Sequence, residues 1–256
     1  MKHWIIRSGF DDGGYLNMID SIVRLGYTYQ LVDCIPFSEE YDLPDVDVDN
    51  TIVYGGQGLL NYAKRMGYKG VFYNDNFDVN SWQKHWGTEL LNFDSITAKI
   101  KDLEPTMDKF FIRPLHDNKK FSGQLMDLVE FNGWKSKILS LDGYSTIDGD
   151  TEVTIATVKN IMAEYRIIVV NGKYITGSEY KRADKVNYFA HVPEYIIEYV
   201  NKVCSIWCPD VAFCLDIAET YDDGYVCKIL EVNCVNGIGL YLCDTNKYVY
   251  HLSECF

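Results

Sequence analysis

The sequence has few basic residues for its size. Its 256 residues include 24 lysines and arginines against 37 aspartates and glutamates, which gives a formal net charge of −13 at pH 7. A charge of this sign opposes non-specific attraction to nucleic-acid phosphates and to anionic lipid surfaces. We therefore expect no stable nucleic-acid partner and no membrane partner, although a local basic site could still bind an anion.

Long apolar runs are also missing. No stretch is long enough to cross a bilayer, and the N-terminal residues MKHWIIRSGF contain neither the apolar core nor the small-residue cleavage site of a signal peptide. The chain is nevertheless 47% apolar and 14% aromatic, which argues against intrinsic disorder. We expect a soluble, cytoplasmic protein with a substantial hydrophobic core.

Paired cysteine motifs are absent as well. The eight cysteines show no CxxC spacing, and most of them lie within apolar segments of the last quarter of the chain. Cys204 and Cys208 are one helical turn apart, a spacing that is more typical of packing than of metal ligation. Reduced cysteines in a core are therefore expected, and a zinc site is not.

The first 75 residues alternate strand and helix patterns, which predicts a parallel sheet with helices. Strands are predicted at residues 3–7, 29–35, 51–54 and 70–73, and helices at 15–25 and 58–66. The segment SGFDDGG after the first strand is rich in glycine, but it contains two acids and lacks the full dinucleotide-binding spacing. A tight turn is the preferred interpretation, with phosphate binding as the alternative.

Arg113 lies near the end of a compact apolar strand, KFFIRP at residues 109–114, and precedes a polar loop that carries Lys119 and Lys120. An arginine beside a flexible basic loop is typical of a phosphate clamp with a lid. A solvated turn explains the same residues, and both interpretations remain open. Helices are predicted around this strand at residues 82–86, 95–103, 123–131 and 134–141.

The clearest hairpin in the sequence is predicted at residues 165–178. Two segments rich in β-forming residues flank Asn171-Gly172, the strongest short turn signal. A helix is predicted to follow at residues 193–208, where apolar residues recur with helical spacing.

Two cations belong to this hairpin. Strand alternation places Arg166 on an otherwise apolar face, where a cation is costly unless an anion meets it. Lys181 lies just beyond the returning strand and can reach the same end of the hairpin. Glu164 and Glu179 are ordinary ion-pair partners, so a structural ion pair is as compatible with the pattern as an anion-binding site.

A second predicted hairpin, at residues 211–233, contains three polar side chains among apolar ones. Asp216 lies in its first strand, and Glu231 and Asn233 lie two residues apart in its second strand. Residues i and i+2 share a face, and antiparallel pairing can bring Asp216 beside the other two. Carboxylate and amide oxygens are ligands that Mg²⁺ prefers, so a Mg²⁺ site is one interpretation. The alternatives are solvated acids and ion pairs with Lys228 or Arg166.

Taken in order, these segments resemble an ATP-grasp fold. Arg113 and its loop come first, followed by the β segment at 152–158, the EYR and YK of the hairpin, and finally Leu-Asp-Ile and Glu-Val-Asn. More narrowly, the order is similar to that of a small bacterial and phage clade whose nucleotide site uses two arginines and a lysine. The resemblance covers roughly residue 75 to the C-terminal end.

The resemblance implies an α/β (α+β) fold, with two ATP-grasp lobes preceded by a small parallel α/β domain. The implied domains are a pre-ATP-grasp domain at 1–75, an N-terminal lobe at 76–156 and a C-terminal lobe with the metal site at 157–256.

The resemblance also implies a role for each candidate residue. Arg113, Lys119 and Lys120 would contact the phosphates or close over them, and the backbone of Thr154, Ile155 and Ala156 would line the adenine. Arg166 and Lys181 would be the catalytic cations on the phosphates, with Arg166 best placed for the transferred one. Asp216, Glu231 and Asn233 would hold one or two Mg²⁺ ions.

One segment departs from the family pattern. Many ATP-grasp ligases follow Glu-x-Asn with an arginine and a Pro-Gly or similar cluster that binds the carboxylate substrate. Here the corresponding residues read CVNGIGLY, in which Asn236 is the candidate for contact with the acceptor.

The implied function is an ATP- and Mg²⁺-dependent carboxylate–amine ligase that forms an amide or peptide bond through an acyl phosphate. Its substrates would be small-molecule or peptide carboxylates and amines, and a protein substrate is also compatible. One alternative is an ATP-binding sensor or protein-interaction module without turnover. Another is a nucleic-acid ligase or nucleotidyltransferase, which needs a lysine two residues before an Asp-Gly; Ser140 occupies that position before Asp142.

Overall fold

The computed structural model describes residues 1–9, 15–33, 41–115, 121–141, 146–221 and 224–256. They form two compact units, Met1–Phe77 with Ile161–Phe256 and Asp78–Asn160. The helices and strands are β1 (His3–Arg7), α1 (Tyr15–Arg24), β2 (Thr28–Val32), β3 (Thr51–Tyr54), α2 (Gln57–Arg65), α3 (Val79–Trp86), β4 (Ile96–Lys99), β5 (Lys109–Pro114), β6 (Gln124–Asp127), α4 (Leu128–Ser140), β7 (Glu152–Thr157), β8 (Ile161–Val170), β9 (Lys173–Arg182), β10 (Lys185–Phe189), α5 (Glu194–Ile206), β11 (Ala212–Tyr221), β12 (Tyr225–Asn233) and α6 (Thr245–Glu254). None of these described helices is long and apolar enough to cross a membrane.

A three-stranded parallel sheet, in the order β2, β1, β3, begins the first unit. Trp4, Ile5 and Ile6 in the central strand are fully buried, and helices α1 and α2 separate the strand segments along the chain. The predicted parallel α/β unit is therefore confirmed. Of the predicted glycine-rich turn, only Ser8 and Gly9 are among the described residues, and both lie in a turn.

The strand predicted at residues 70–73 is wrong. A single parallel bridge, between Ile52 and Gly70, forms there. The Phe72 N–H donates to the side-chain Oδ1 of Asn236 at 2.8 Å. Because this N–H is used by a side chain from another part of the chain, the backbone ladder does not extend beyond Gly70.

A five-stranded sheet in the order β10, β9, β8, β11, β12 follows in the same unit. β8 and β9 form the hairpin predicted around Asn171-Gly172, and both turn residues have positive φ, 52° and 70°, as this turn type requires. β11 and β12 form the second predicted hairpin. One core connects this sheet with the parallel sheet, and it includes Trp4, Tyr54, Ile168, Cys214 and Tyr248.

The predicted first and third domains share one hydrophobic core. Residues 1–77 and 161–256 lie in one compact unit, while residues 78–160 form the other. The division into three functional domains at 1–75, 76–156 and 157–256 stays a prediction.

The second unit contains a four-stranded antiparallel sheet in the order β4, β7, β5, β6. Its core includes Phe110, Ile112, Phe131, Val153 and Ile155. Helix α4 begins where the Asp127 side chain accepts from the Glu130 N–H and the Glu130 side chain accepts from the Asp127 N–H. This reciprocal capping box fixes the start of the helix against the end of β6.

The helix predicted at residues 95–103 is wrong. The segment forms β4 and a short 3₁₀ helix, Ile100–Asp102. Ile96 pairs with Ile155 across the sheet, an arrangement that suits β-branched side chains. The helices predicted at 123–131 and 134–141 are one helix, α4, preceded by β6. In short segments the spacing of apolar residues is compatible with a helix or a strand. Pairing with a neighbouring strand then determines which of the two forms.

The cysteines that the structure describes are all free. Cys204, Cys214 and Cys243 are buried, and the last two belong to the core that joins the two sheets of the first unit. They act there as small apolar side chains, as the sequence predicted.

Candidate functional site

Arg166 and Asp216 form a buried ion pair between neighbouring strands. They are direct partners in the antiparallel register of β8 and β11. Arg166 Nε lies 2.9 Å from Asp216 Oδ1 and Nη2 lies 2.8 Å from Oδ2, and only 11% and 3% of the two side chains are exposed. Burial lowers the pKa of Arg166, but the Asp216 carboxylate outweighs burial and holds that pKa above its ordinary value.

Aromatic rings surround the guanidinium of Arg166. It lies over the ring of Tyr241 at 4.8 Å and over the ring of Tyr180 at 5.6 Å. Tyr241 also stacks on Tyr180 and on Tyr188, in each case with 5.2 Å between ring centroids and 22° between planes. These tyrosines come from β9, β10 and the segment after β12, so the fold brings two rings onto the cation and a third onto the ring of Tyr241.

Glu164 links Lys181 to the same group of residues. Its carboxylate accepts from Lys181 Nζ at 2.8 Å and from the Tyr180 hydroxyl at 2.7 Å. The hydrogen bond to Glu164 raises the pKa of Lys181, and burial, together with the Asp216 and Glu164 carboxylates, raises the pKa of Tyr180. Arg166 and Lys181 therefore belong to one network, and the Lys181–Glu164 contact is the structural ion pair that the sequence left open as the alternative to an anion-binding site.

The three predicted metal ligands lie on adjacent strands. Glu231 is the direct register partner of Asp216, and Asn233 Nδ2 donates to Asp216 Oδ2 at 3.1 Å. Direct partners in an antiparallel pair project to the same face, so both carboxylates face the side that carries Arg166. The structure thus brings Asp216, Glu231 and Asn233 together. The ion pair between Asp216 and Arg166, which the sequence left open as an alternative to a metal site, is also formed.

The remaining candidates belong to the second unit. Arg113 on β5 is the register partner of Thr154 on β7, so the two share a face of that sheet. Ile155 points the other way, into the core beneath α4, whereas Thr154 and Ala156 are buried on the face of Arg113. Lys119 and Lys120 lie outside the described residues.

Thr154 carries a buried hydroxyl. Its Oγ1 has no hydrogen bond in the part of the chain that the structure describes. A buried hydroxyl without a partner is costly, and such a group is a candidate contact for a bound molecule.

Comparison with protein families identifies the family of the chain. Residues 94–251 match the family model of the ATP-grasp domain, R2K clade family 2. The chain belongs to this family. No curated protein sequence matches it.

Solved structures show the same ATP-grasp fold. A RimK domain ATP-grasp protein from Sphaerobacter thermophilus DSM 20745 matches with a TM-score of 0.66 and 10% identity, over 98% of this chain and 99% of that one. A D-alanine–D-alanine ligase from Bacillus anthracis matches with a TM-score of 0.59 and 13% identity, over 99% and 94%. The ATP-grasp ligase PsnB, solved with a phosphomimetic variant of its minimal precursor, Mg and ADP, has a TM-score of 0.56 and 10% identity, over 97% and 95%. Identities this low establish the ATP-grasp fold alone.

The predicted ligands of this ATP-grasp chain fit Mg²⁺ in their chemistry. Two carboxylates and an amide supply hard oxygen atoms, and Asn233 uses its nitrogen toward Asp216, which leaves its oxygen as the atom for a metal. Among the described residues, no group of three or more His, Cys, Asp and Glu side chains is placed to hold a metal ion. The predicted set contains only two such residues, so the ligand assignment stays a prediction.

The tyrosines around Arg166 were not predicted from the sequence. Tyr180 stands in the YK that marked Lys181, but its ring contact with Arg166 depends on strand pairing. Tyr188 and Tyr241 come from segments with no assigned role. Tyr241 has a positive φ of 49°, which a sequence pattern does not reveal for a non-glycine residue.

The assignment of Asn236 to the acceptor site is wrong. The residue is fully buried, its Nδ2 donates to the carbonyls of Val53 and Gly70 at 2.8 Å each, and its Oδ1 accepts from the Phe72 N–H. Since these contacts engage both ends of the amide, Asn236 is a structural link between the segment after β12 and the parallel sheet.

Asn236→Ala is expected to lower the free energy of unfolding by about 3 kcal/mol, because it leaves buried backbone groups unpaired. Urea denaturation followed by circular dichroism measures the change. Asn61→Ala is the control, since Asn61 is exposed and accepts from Gln57 within a surface helix; it is expected to change stability by less than about 0.5 kcal/mol. Equal stability of the Asn236 variant and the wild type would contradict the structural role.

Proposed function

We propose that the protein is an ATP- and Mg²⁺-dependent carboxylate–amine ligase that acts through an acyl phosphate. The observation that carries the proposal is a cluster on three adjacent strands of an ATP-grasp fold, in which Arg166 pairs with Asp216, and Asp216 lies beside Glu231 and Asn233. A buried arginine beside hard oxygen ligands is the combination that a metal-bound triphosphate needs.

Cations in the cluster match the charge of the phosphates. Arg166 has five N–H donors in a fixed fork, and the described hydrogen bonds of its Nε, Nη1 and Nη2 leave further N–H groups for phosphate oxygens. Lys181 is positively charged near neutral pH, the hydrogen bond to Glu164 raises its pKa further, and about a third of its side chain is exposed. We assign Arg166 to the transferred phosphoryl group and Lys181 to the neighbouring phosphates.

Asp216, Glu231 and Asn233 would hold Mg²⁺. Bound there, the metal would neutralise phosphate charge and orient the γ-phosphoryl group for transfer. The Asp216 carboxylate is shared with Arg166 in this structure, so one side chain couples the metal ligands to the phosphate-binding cation.

Candidates in the second unit suit the nucleotide. Arg113 and Thr154 share one face of its sheet, and the Thr154 hydroxyl is a donor and acceptor with no hydrogen-bond partner among the described residues. We assign Arg113 to the α- or β-phosphate and the backbone of residues 154–156 to the adenine. Lys119 and Lys120 remain candidates for a lid over the phosphates.

The reaction needs positioned cations and no protein nucleophile. A substrate carboxylate oxygen forms a bond to the γ-phosphorus, and the bond from that phosphorus to the ADP oxygen breaks. The substrate amine then bonds to the acyl carbon, phosphate leaves, and the amine loses a proton. The carboxylate and amine belong to small molecules, peptides or a protein, and the free cysteines are consistent with a reaction in the cytoplasm.

A second function is a nucleotide-binding module without turnover. The observation that favours it is the bidentate contact of Arg166, which occupies both oxygens of a predicted metal ligand. Such a module would bind nucleotide but release no ADP with any acceptor.

Purified protein is assayed for ADP release with Mg²⁺, ATP and panels of amino acids and short peptides, while calorimetry measures binding of a non-hydrolysable ATP analogue. We expect ADP release that needs both a carboxylate and an amine. Binding without release across the panels would favour the module, and AMP retained covalently after incubation with labelled ATP would indicate a nucleotidyltransferase. Folded protein that binds no nucleotide would overturn the proposal.

A further inference from the structure

Tyr241 contacts the guanidinium of Arg166 without using any hydrogen-bond donor of the arginine. The guanidinium carbon lies 4.8 Å from the centre of the ring, and the two side chains meet through a cation–π contact. The described donors of Arg166 go to Asp216 and to the Gly239 carbonyl, which accepts from Nη1 at 2.9 Å. A ring contact therefore adds an attachment while leaving N–H groups for an anion.

The backbone at Tyr241 is strained. Its φ of 49° lies in the left-handed region, which glycine adopts readily and a bulky side chain adopts at a cost. Gly237 and Gly239 lie just before it in the chain, yet neither has a positive φ among the described glycines. The segment thus has tyrosine where the backbone favours glycine. Strain of this kind persists where the surrounding structure holds it, often beside a functional group.

The segment that carries Tyr241 is well anchored. Leu240 is fully buried in the core, and the Cys243 N–H donates to the Leu240 carbonyl at 2.9 Å. Gly239 and Tyr241 therefore contact Arg166 from one fixed segment, through a carbonyl and a ring. The Tyr241 hydroxyl makes no hydrogen bond within the described part of the chain, so the contact with Arg166 is made by the ring alone.

We infer that Tyr241 is a positioning residue that holds the guanidinium of Arg166 in the orientation used for nucleotide binding. This role rests on the proposed function for the part that concerns ATP. The strained backbone is retained because it directs the ring onto the cation, and the ring holds the cation through a contact that does not compete with phosphate.

Two substitutions separate the ring from the strain. Tyr241→Phe keeps the ring and the strain and removes only a hydroxyl without a described partner. Tyr241→Gly removes the ring with its stacking on Tyr180 and Tyr188, which lowers stability, and relieves the backbone, which raises it. Because the two effects oppose each other, the melting temperature is expected to stay within a few degrees of the wild type. A merely structural tyrosine would instead show its effect in melting temperature.

The first measurement is hydrogen exchange at Arg166 Nε by NMR in nucleotide-free protein, with the signal assigned by its loss in Arg166→Lys. The second is the affinity for the ATP analogue by calorimetry. We expect Tyr241→Gly to speed exchange and weaken binding by about tenfold each, and Tyr241→Phe to stay within about threefold of the wild type.

Unchanged exchange and unchanged affinity in Tyr241→Gly would overturn the inference, and so would faster exchange with unchanged affinity. Equal effects of the glycine and phenylalanine variants would also overturn it, because the hydroxyl would then be the important group. If the wild type binds no nucleotide, the proposed function fails, while exchange at Nε still decides whether Tyr241 holds Arg166.

Discussion

Arg166→Lys is expected to lower the turnover number for ADP release about 1,000-fold, with a smaller effect on nucleotide affinity. Lysine keeps the positive charge that Asp216 needs, so the protein is expected to fold. It loses the planar fork that contacts both Asp216 oxygens and the Gly239 carbonyl, and with it the means to place N–H groups around a transferred phosphoryl group. Steady-state kinetics with saturating acceptor measures the effect.

Arg182→Lys is a matched control for this experiment. Arg182 lies on β9 and pairs with the buried Glu179, through its Nε at 2.9 Å and its Nη2, outside the candidate site. We expect turnover within about threefold of the wild type for this variant. If Arg166→Lys and Arg182→Lys lowered turnover equally, or if Arg166→Lys had no effect, Arg166 would have no specific role in phosphoryl transfer.

Glu231→Gln is expected to lower turnover at least 100-fold and to raise the Mg²⁺ concentration needed for half-maximal activity about tenfold. The substitution keeps the shape of the side chain and one oxygen atom, but removes the negative charge beside Asp216. Titration of nucleotide-free protein with Mn²⁺, followed by electron paramagnetic resonance, gives a direct measure of metal affinity that does not depend on turnover.

Glu219→Gln provides the comparison for Glu231. Glu219 is a buried carboxylate on β11, three residues from Asp216 and therefore on the opposite face, where it accepts from the Tyr165 hydroxyl at 3.3 Å. We expect its replacement to leave Mn²⁺ affinity within about twofold of the wild type. Equal Mn²⁺ affinity in Glu231→Gln and wild type would remove Glu231 from the metal site.

Local patterns in the sequence predicted the strands that carry this site. Asn171-Gly172 specified a turn with two positive φ angles, and the alternation around Arg166 and Asp216 specified which side chains share a face. These features depend on neighbours in the sequence, so a single chain reveals them. The resemblance to ATP-grasp proteins then supplied the order of the parts and the family, which the match to residues 94–251 confirms.

Features that depend on distant segments were not predicted. The ring of Tyr241 meets Arg166 across 75 positions of the chain, and its positive φ has no signal in the residue type. Asn236 looked like a substrate contact because it follows Glu-x-Asn, yet its amide satisfies backbone groups of the parallel sheet. The apolar pattern around Ile96 fits a helix as well as it fits a strand. The segment forms β4 because it pairs with β7, where the partner Ile155 lies far along the chain.

The first compact unit is discontinuous, and this has a consequence for the order of folding. Its parallel sheet comes from residues before 78, but the side chains that complete the core, among them Tyr248 and Leu252 in α6, are synthesised only after the whole of the second unit. The unit at 78–160 is contiguous, so it can form its contacts while the ribosome is still adding the later strands. We expect Trp4 and Ile6 to stay exposed to water through most of synthesis, and the nascent chain to need chaperone protection until α6 has emerged.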